Sequence, residues 1–176
     1  MTILITGGAK CGKSHIAEDF FNNAENKFYI ATMEPYGEEA QRAIDRHRKM
    51  REGKGFTTIE QSRNIGEIKL PKGCSVLVEC ISTLTANEMF SDKDTNGIDI
   101  ASKITSDIRR LSETVGTLVL VTNDVGCDGG IDDMYSSETA EYIKVIGEIN
   151  RRLAKFSDTV IEAVYGIPVV LKGALP

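Results

Sequence analysis

Gly7-Gly8-Ala9-Lys10-Cys11-Gly12-Lys13-Ser14 is the stretch that most restricts what this chain can fold into. It satisfies G-x-x-x-x-G-K-[ST] at every defined position. The strand-like run Thr2-Ile3-Leu4-Ile5-Thr6 leads into it, and Lys13-Ser14-His15-Ile16-Ala17-Glu18 opens a helical pattern behind it. Glycines let the backbone curl so that successive N–H groups point at one phosphate, and the helix start adds its positive end. In such a loop Gly7, Gly8, Ala9, Lys10, Cys11 and Gly12 form the cradle and Lys13 reaches the β- and γ-phosphates. The Ser14 hydroxyl coordinates Mg²⁺. Strand, loop and helix in that order point to a layered α/β fold.

The remaining pattern agrees. Short apolar runs rich in β-branched residues predict strands near 2–6, 27–32, 75–80, 117–122, 158–165 and 168–172, with weaker extended character at 56–60. Amphipathic stretches predict helices at 12–23, 37–51, 82–90, 98–114 and 137–156. Val76-Leu77-Val78 and Leu118-Val119-Leu120-Val121 are continuously apolar, as strands covered on both faces are. Alternating strands and helices give a mostly parallel sheet whose ligand site lies at the carboxyl ends of the strands. The last pair, joined through Gly166-Ile167-Pro168, reads as an antiparallel hairpin, and the four prolines read as turn or terminal residues. The expectation is one P-loop NTPase-like (RecA-like) domain over residues 1–176, a mostly parallel sheet flanked by helices with a C-terminal antiparallel hairpin.

Composition narrows the function classes. A chain of 176 residues with 41% hydrophobic and 27% charged residues is an ordinary globular domain. A net charge of −5, no Trp and 6% aromatics argue against nucleic acid as a partner. No apolar run approaches the roughly 20 residues that span a bilayer. Cysteines at 11, 74, 80 and 127 form no CxxC pair. Together these predict a reduced, cytoplasmic protein.

A metal-holding acid is expected beside the loop. Glu79 ends the apolar run 76–78, the pattern of a hydrophobic strand closed by a carboxylate; Asp124, after 118–122, is its competitor. Residues 42–54 hold six Lys or Arg (42, 46, 48, 49, 51, 54) against Asp45 and Glu52. On a helix, Ala40, Ala43, Ile44, His47 and Met50 share one stripe, with guanidinium groups flanking His47. Two readings of His47 stand: a histidine at the edge of the core, or one that receives a phosphoryl or nucleotidyl group while arginines neutralise the phosphates. His15 is expected to pack beside the nucleotide.

Beyond the phosphate loop, several blocks carry a resemblance. They are Tyr29-Ile30-Ala31-Thr32 with Arg42-Ala43-Ile44 and His47-Arg48, Val78-Glu79-Cys80-Ile81-Ser82-Thr83 with Asn87, and Val121-Thr122-Asn123-Asp124-Val125-Gly126. Gly147-Glu148-Ile149-Asn150-Arg151-Arg152 and Tyr165-Gly166-Ile167-Pro168 with Lys172 continue it. Over nearly its whole length the chain resembles the bifunctional adenosylcobinamide kinase/adenosylcobinamide-phosphate guanylyltransferases of cobalamin biosynthesis. The resemblance implies that a nucleoside triphosphate, GTP or ATP, phosphorylates adenosylcobinamide. GTP then guanylylates His47, and the GMP passes on to give adenosyl-GDP-cobinamide. It makes His47 and Lys13 catalytic and Ser14 and Glu79 the Mg²⁺ ligands. It adds Thr32, Arg48, Arg51, Glu60 and Glu79 to the nucleotide-binding set and implies a homo-oligomer, a trimer.

This chain departs from the family pattern at Cys11 and Asp124, at Gly37, Ala40 and Glu52, across the acidic segment 127–135, and in lacking arginines near 140–144. Two alternatives therefore accompany the bifunctional reading: a small-molecule kinase without guanylyl transfer, and a nucleotide-binding regulator without catalysis.

Overall fold

A computed structural model describes residues 1–91, 97–125 and 135–175. The expectations placed on Gly126, on most of the acidic segment 127–135 and on Pro176 fall outside the described residues. So do those resting on the side chains of Ala40, Ala43 and Met50.

The chain runs β1 (Thr2–Thr6), α1 (Lys13–Asp19), β2 (Lys27–Ala31), α2 (Gly37–Arg51), β3 (Thr57–Glu60), β4 (Ser75–Glu79) and α3 (Ile81–Met89). It continues with α4 (Ile100–Thr114), β5 (Thr117–Val121), α5 (Ser137–Phe156), β6 (Thr159–Val164) and β7 (Ile167–Lys172). A 3₁₀ turn at Ile65–Glu67, which the sequence pattern does not announce, follows β3. The seven strands form one sheet in the order β3-β2-β4-β5-β1-β6-β7. The pairings among β1 to β6 are parallel, and β7 runs antiparallel to β6.

Strand alternation sorts the core into two layers. Leu4, Ile30, Val76, Val78, Leu118 and Leu120 point toward α3, α4 and α5, where Leu84, Ile104, Ile108, Ile146 and Ile149 meet them. Ile3, Ile5, Tyr29, Leu77, Val119 and Val121 point the other way, onto Ile16, Ala17 and Phe21. Removing each large apolar side chain from water contributes about 1.5–3 kcal/mol. Helix starts are fixed by side-chain caps: Asp99 accepts the Ser102 N–H at 2.9 Å, and Ser136 accepts that of Thr139 at 3.3 Å. The Asp99 cap explains why α4 begins two residues later than its apolar pattern suggests.

Two expectations are corrected. The helix predicted over 12–23 ends at Asp19, and Phe21 instead turns inward against Phe56, with ring centroids 5.2 Å apart. The hairpin turn is Tyr165-Gly166, so Ile167 and Pro168 belong to β7, where Pro168 lies opposite Ala163. An edge strand tolerates a proline because its missing N–H faces no neighbour. No helix among the described residues is long and apolar enough to cross a membrane.

Parallel register places the site. Ala31, Glu79 and Val121 are partners across β2, β4 and β5, and Val121 partners Ile5 of β1. The carboxyl ends of four strands therefore form one row, with the phosphate loop leaving β1 beside it.

Candidate active site

The loop owes its path to two glycines. Gly7 has φ +137°, and a Cβ there would lie 2.7 Å from the Ala163 carbonyl oxygen. Gly12 has φ +98°, with Gly166 Cα 3.0 Å from where its Cβ would stand. The hairpin turn supports the loop from outside: the Gly166 N–H donates to the Cys11 carbonyl at 2.8 Å. From within, Lys13 Nζ donates to the carbonyls of Gly7 at 2.8 Å and Gly8 at 2.6 Å. Among the described residues, carbonyl dipoles and no carboxylate hold the buried ammonium, which leaves its charge uncancelled for a phosphate.

Beside the loop a cleft of about 700 Å³ opens, lined by residues 9–15 and by side chains of β2, α2, β3 and β4. Glu79, at the end of β4, is its centre. The Ser14 hydroxyl donates to Oε1 and the Tyr29 hydroxyl donates to Oε2 at 2.9 Å, while His47 Nδ1 stands 3.8 Å from Oε1. The peptide bond after Glu79 is cis. Burial, and next the Glu79 carboxylate, push the Tyr29 phenol well above its usual range. Tyr29 therefore stays a hydrogen-bond donor at every physiological pH.

The polar end of α2 faces this centre. His47, at 27% side-chain exposure, and Ile44 line the cleft. Arg48 pairs with Glu60. Arg51 is 7% exposed, with its Cζ 3.5 Å from the centroid of the Tyr29 ring. Just past α2, Lys54 pairs with Glu18 of α1 and ties the two segments together.

Most of the site residues expected from sequence meet here. Ala9, Lys10, Cys11, Gly12, Lys13, Ser14, His47, Arg48, Arg51, Glu60 and Glu79 line the cleft, and His15 lies at its exposed rim. Gly7 and Gly8 are not among the lining residues and act through the carbonyls that hold Lys13. Thr32 is different: it is fully buried, and its hydroxyl donates to the Cys80 carbonyl and accepts the Cys80 N–H. It anchors the end of β4 and does not line the cleft. Of the two candidate acids, Glu79 is the one the Ser14 hydroxyl reaches; Asp124 gives a backbone N–H to the Gly7 carbonyl at 3.3 Å.

Sequence reasoning did not assign Tyr29, Thr83 or Asn123, all of which line the cleft. Tyr29 sits in an apolar strand and reads as core; only its place beside β4 reveals the hydroxyl's partner.

The Ser14 hydroxyl and the Glu79 carboxylate meeting at one point form the oxygen donor pair that suits Mg²⁺, which completes its shell with phosphate oxygens and water. Among the described residues no group of three or more His, Cys, Asp or Glu is placed to hold a metal ion by itself.

The loop geometry, the parallel sheet and the cleft define a phosphate-loop nucleotide-binding α/β protein. A family model described as cobinamide kinase / cobinamide phosphate guanyltransferase matches residues 3–171. The chain belongs to this family of bifunctional kinase and guanylyltransferase enzymes of cobalamin biosynthesis. It is 32% identical over 186 residues to the bifunctional adenosylcobalamin biosynthesis protein CobU of Escherichia coli, covering 98% of this chain and 100% of that one. The CobU of Salmonella typhimurium gives the same figures. The bifunctional adenosylcobalamin biosynthesis protein CobP of Pseudomonas aeruginosa is 28% identical over 179 residues, covering 98% of each chain.

Proposed function

We propose that this one cleft serves two successive reactions on a corrinoid substrate. In the first, GTP or ATP phosphorylates the hydroxyl of the aminopropanol arm of adenosylcobinamide. In the second, His47 takes GMP from GTP as a covalent phosphoramidate and passes it to adenosylcobinamide phosphate, giving adenosyl-GDP-cobinamide. The observation that carries the reading is the convergence of His47, Glu79 and Ser14 beside the phosphate loop: a nucleophile stands where nucleotide phosphates would lie.

The chain's own groups divide the work. Loop amides and Lys13 hold the β- and γ-phosphates and neutralise charge that develops as either bond breaks. With His47 Nδ1 turned toward the Glu79 carboxylate, Nε2 is left as the attacking nitrogen. Ser14 and Glu79 would hold Mg²⁺, which supplies charge neutralisation on the phosphates when bound. Arg48 and Glu60 line the rim as a pair and Arg51 lies deeper; all three belong to the nucleotide site. Thr32 supports that site from behind.

One domain carries both reactions, a reading supported by a single sheet that runs from residue 2 to residue 172. The enzyme works in the cytoplasm as a homo-oligomer, a trimer, and the exposed apolar side chains of β7 (Ile167, Val169, Leu171) are a surface such an assembly could cover.

Separating the half-reactions tests the proposal. His47→Ala should stop formation of adenosyl-GDP-cobinamide while phosphorylation of adenosylcobinamide continues, because transfer to a substrate hydroxyl needs no protein nucleophile. A His47→Ala enzyme that still makes adenosyl-GDP-cobinamide would exclude the covalent route.

A further inference from the structure

Arg51 is the group in the cleft that the phosphate loop does not explain. It is almost fully buried, yet among the described residues its guanidinium meets no carboxylate, and its Nε is buried with no hydrogen-bond partner. Of the neighbouring cations, Arg42 pairs with Glu38, Arg48 with Glu60 and Lys54 with Glu18, while Arg46 and Lys49 are exposed to water. Beneath the Arg51 guanidinium lies the Tyr29 ring. A buried charge without a partner is costly, and a cleft that keeps one is built for an anion.

Its position says which anion. Arg51 follows His47 by four residues on α2, so the two side chains leave the same helix face about 6 Å apart at their Cβ atoms. Both line the cleft with Lys13 and Ser14. The tyrosine under Arg51 also donates to Glu79, whose carboxylate stands 3.8 Å from His47 Nδ1, so one side chain fixes the guanidinium and the carboxylate relative to each other. We infer that Arg51 is a catalytic residue of guanylyl transfer, binding the non-bridging oxygens of the α-phosphate that His47 attacks, and that it contributes much less to γ-phosphoryl transfer.

The inference rests on the reading of His47 as the guanylyl carrier. In that step a ring nitrogen of His47 forms an N–P bond to the α-phosphorus. The bond from that phosphorus to the oxygen bridging to the β-phosphate breaks, and pyrophosphate leaves with the electron pair. The proton on the other ring nitrogen stays on the imidazole. Charge gathers on the non-bridging α-oxygens, where a guanidinium fork offers two parallel N–H donors that an ammonium cannot reproduce. In the reverse sense, the same fork serves when a phosphate oxygen of the acceptor breaks the N–P bond.

Two rates measured side by side test this. One is covalent labelling of the protein by GTP radiolabelled at the α-phosphate; the other is phosphoryl transfer to adenosylcobinamide. Arg51→Ala should lower labelling by about 10²–10³-fold, the usual loss for one removed charge-stabilising donor, and lower phosphoryl transfer far less. Arg51→Lys, which keeps a cation over Tyr29, should also label slowly and carries the test if Arg51→Ala fails to fold. Millimolar guanidinium ion should restore part of the labelling of Arg51→Ala and none of His47→Ala. Labelling at the wild-type rate in either Arg51 variant, or equal losses in both reactions, would overturn the inference and leave the role of His47 standing. A wild-type enzyme that takes no label overturns both.

Discussion

Tyr29 links the two ends of the site through one side chain: its hydroxyl binds Glu79 and its ring carries Arg51. Tyr29→Phe keeps the ring and leaves the largely buried Glu79 carboxylate one donor short. A hydrogen bond to a charged group contributes about 1.5–3 kcal/mol, so urea unfolding of Tyr29→Phe should show a loss of that order; an unchanged midpoint would mean the bond does not form. Lys13→Ala should lower both transfer reactions by at least about 10²-fold, since the variant lacks the charge at the β- and γ-phosphates, with its circular dichroism spectrum unchanged. A rate near that of the wild type would remove the phosphate-loop account. The parts of the site readable in the sequence were those fixed by local spacing: the loop, and His47 on the face of α2 that also carries Ile44. Tyr29 and Thr32 were not readable in this way. They occupy one strand and its end, and which of them meets the cleft depends on strand alternation and on β4 lying alongside.

At the scale of elements, the phosphate loop and the C-terminal hairpin form one unit. The turn Tyr165-Gly166 bonds to Cys11, and the Ala163 carbonyl abuts Gly7. Gly7→Ala combines positive φ with a Cβ 2.7 Å from that carbonyl oxygen. It should cost about 1–3 kcal/mol for the backbone alone, read as a fall of several degrees in thermal midpoint. A midpoint within a degree of wild type would mean the loop does not need this conformation. Gly8→Ala is the control, because no described residue lies within 4 Å of the added Cβ. The C-terminal hairpin was legible as a hairpin, but its turn was displaced: Pro168 reads locally as a turn residue, whereas the edge position of β7 admits it into a strand. The early end of α1 was hidden for a related reason, since Phe21 leaves the helical path to pack against Phe56, a contact 35 positions further along the chain.

For the whole molecule, strand order does what no local pattern announces. β5 lies between β1 and β4, yet Ser14 of the loop after β1 reaches Glu79 at the end of β4. A parallel sheet with helices on its faces was readable from alternating strands and helices; the order of the strands was not, and neither was the hydrogen bond that joins Ser14 to Glu79 across β5. Nucleotide binding to the folded state alone should stabilise the whole chain. At a hundredfold excess over Kd the gain is about 2.7 kcal/mol, or about 5–10 °C in thermal midpoint for a chain of this size. The shift with GTP and Mg²⁺ should vanish in Lys13→Ala, and its persistence would place the nucleotide elsewhere. The most direct measurement is the intact mass of the pure protein after incubation with GTP and Mg²⁺. If His47 is the carrier, the mass rises by one acid-labile guanylyl group, and His47→Ala shows no gain. No gain in wild-type protein that binds GTP, or an equal gain in His47→Ala, would contradict it.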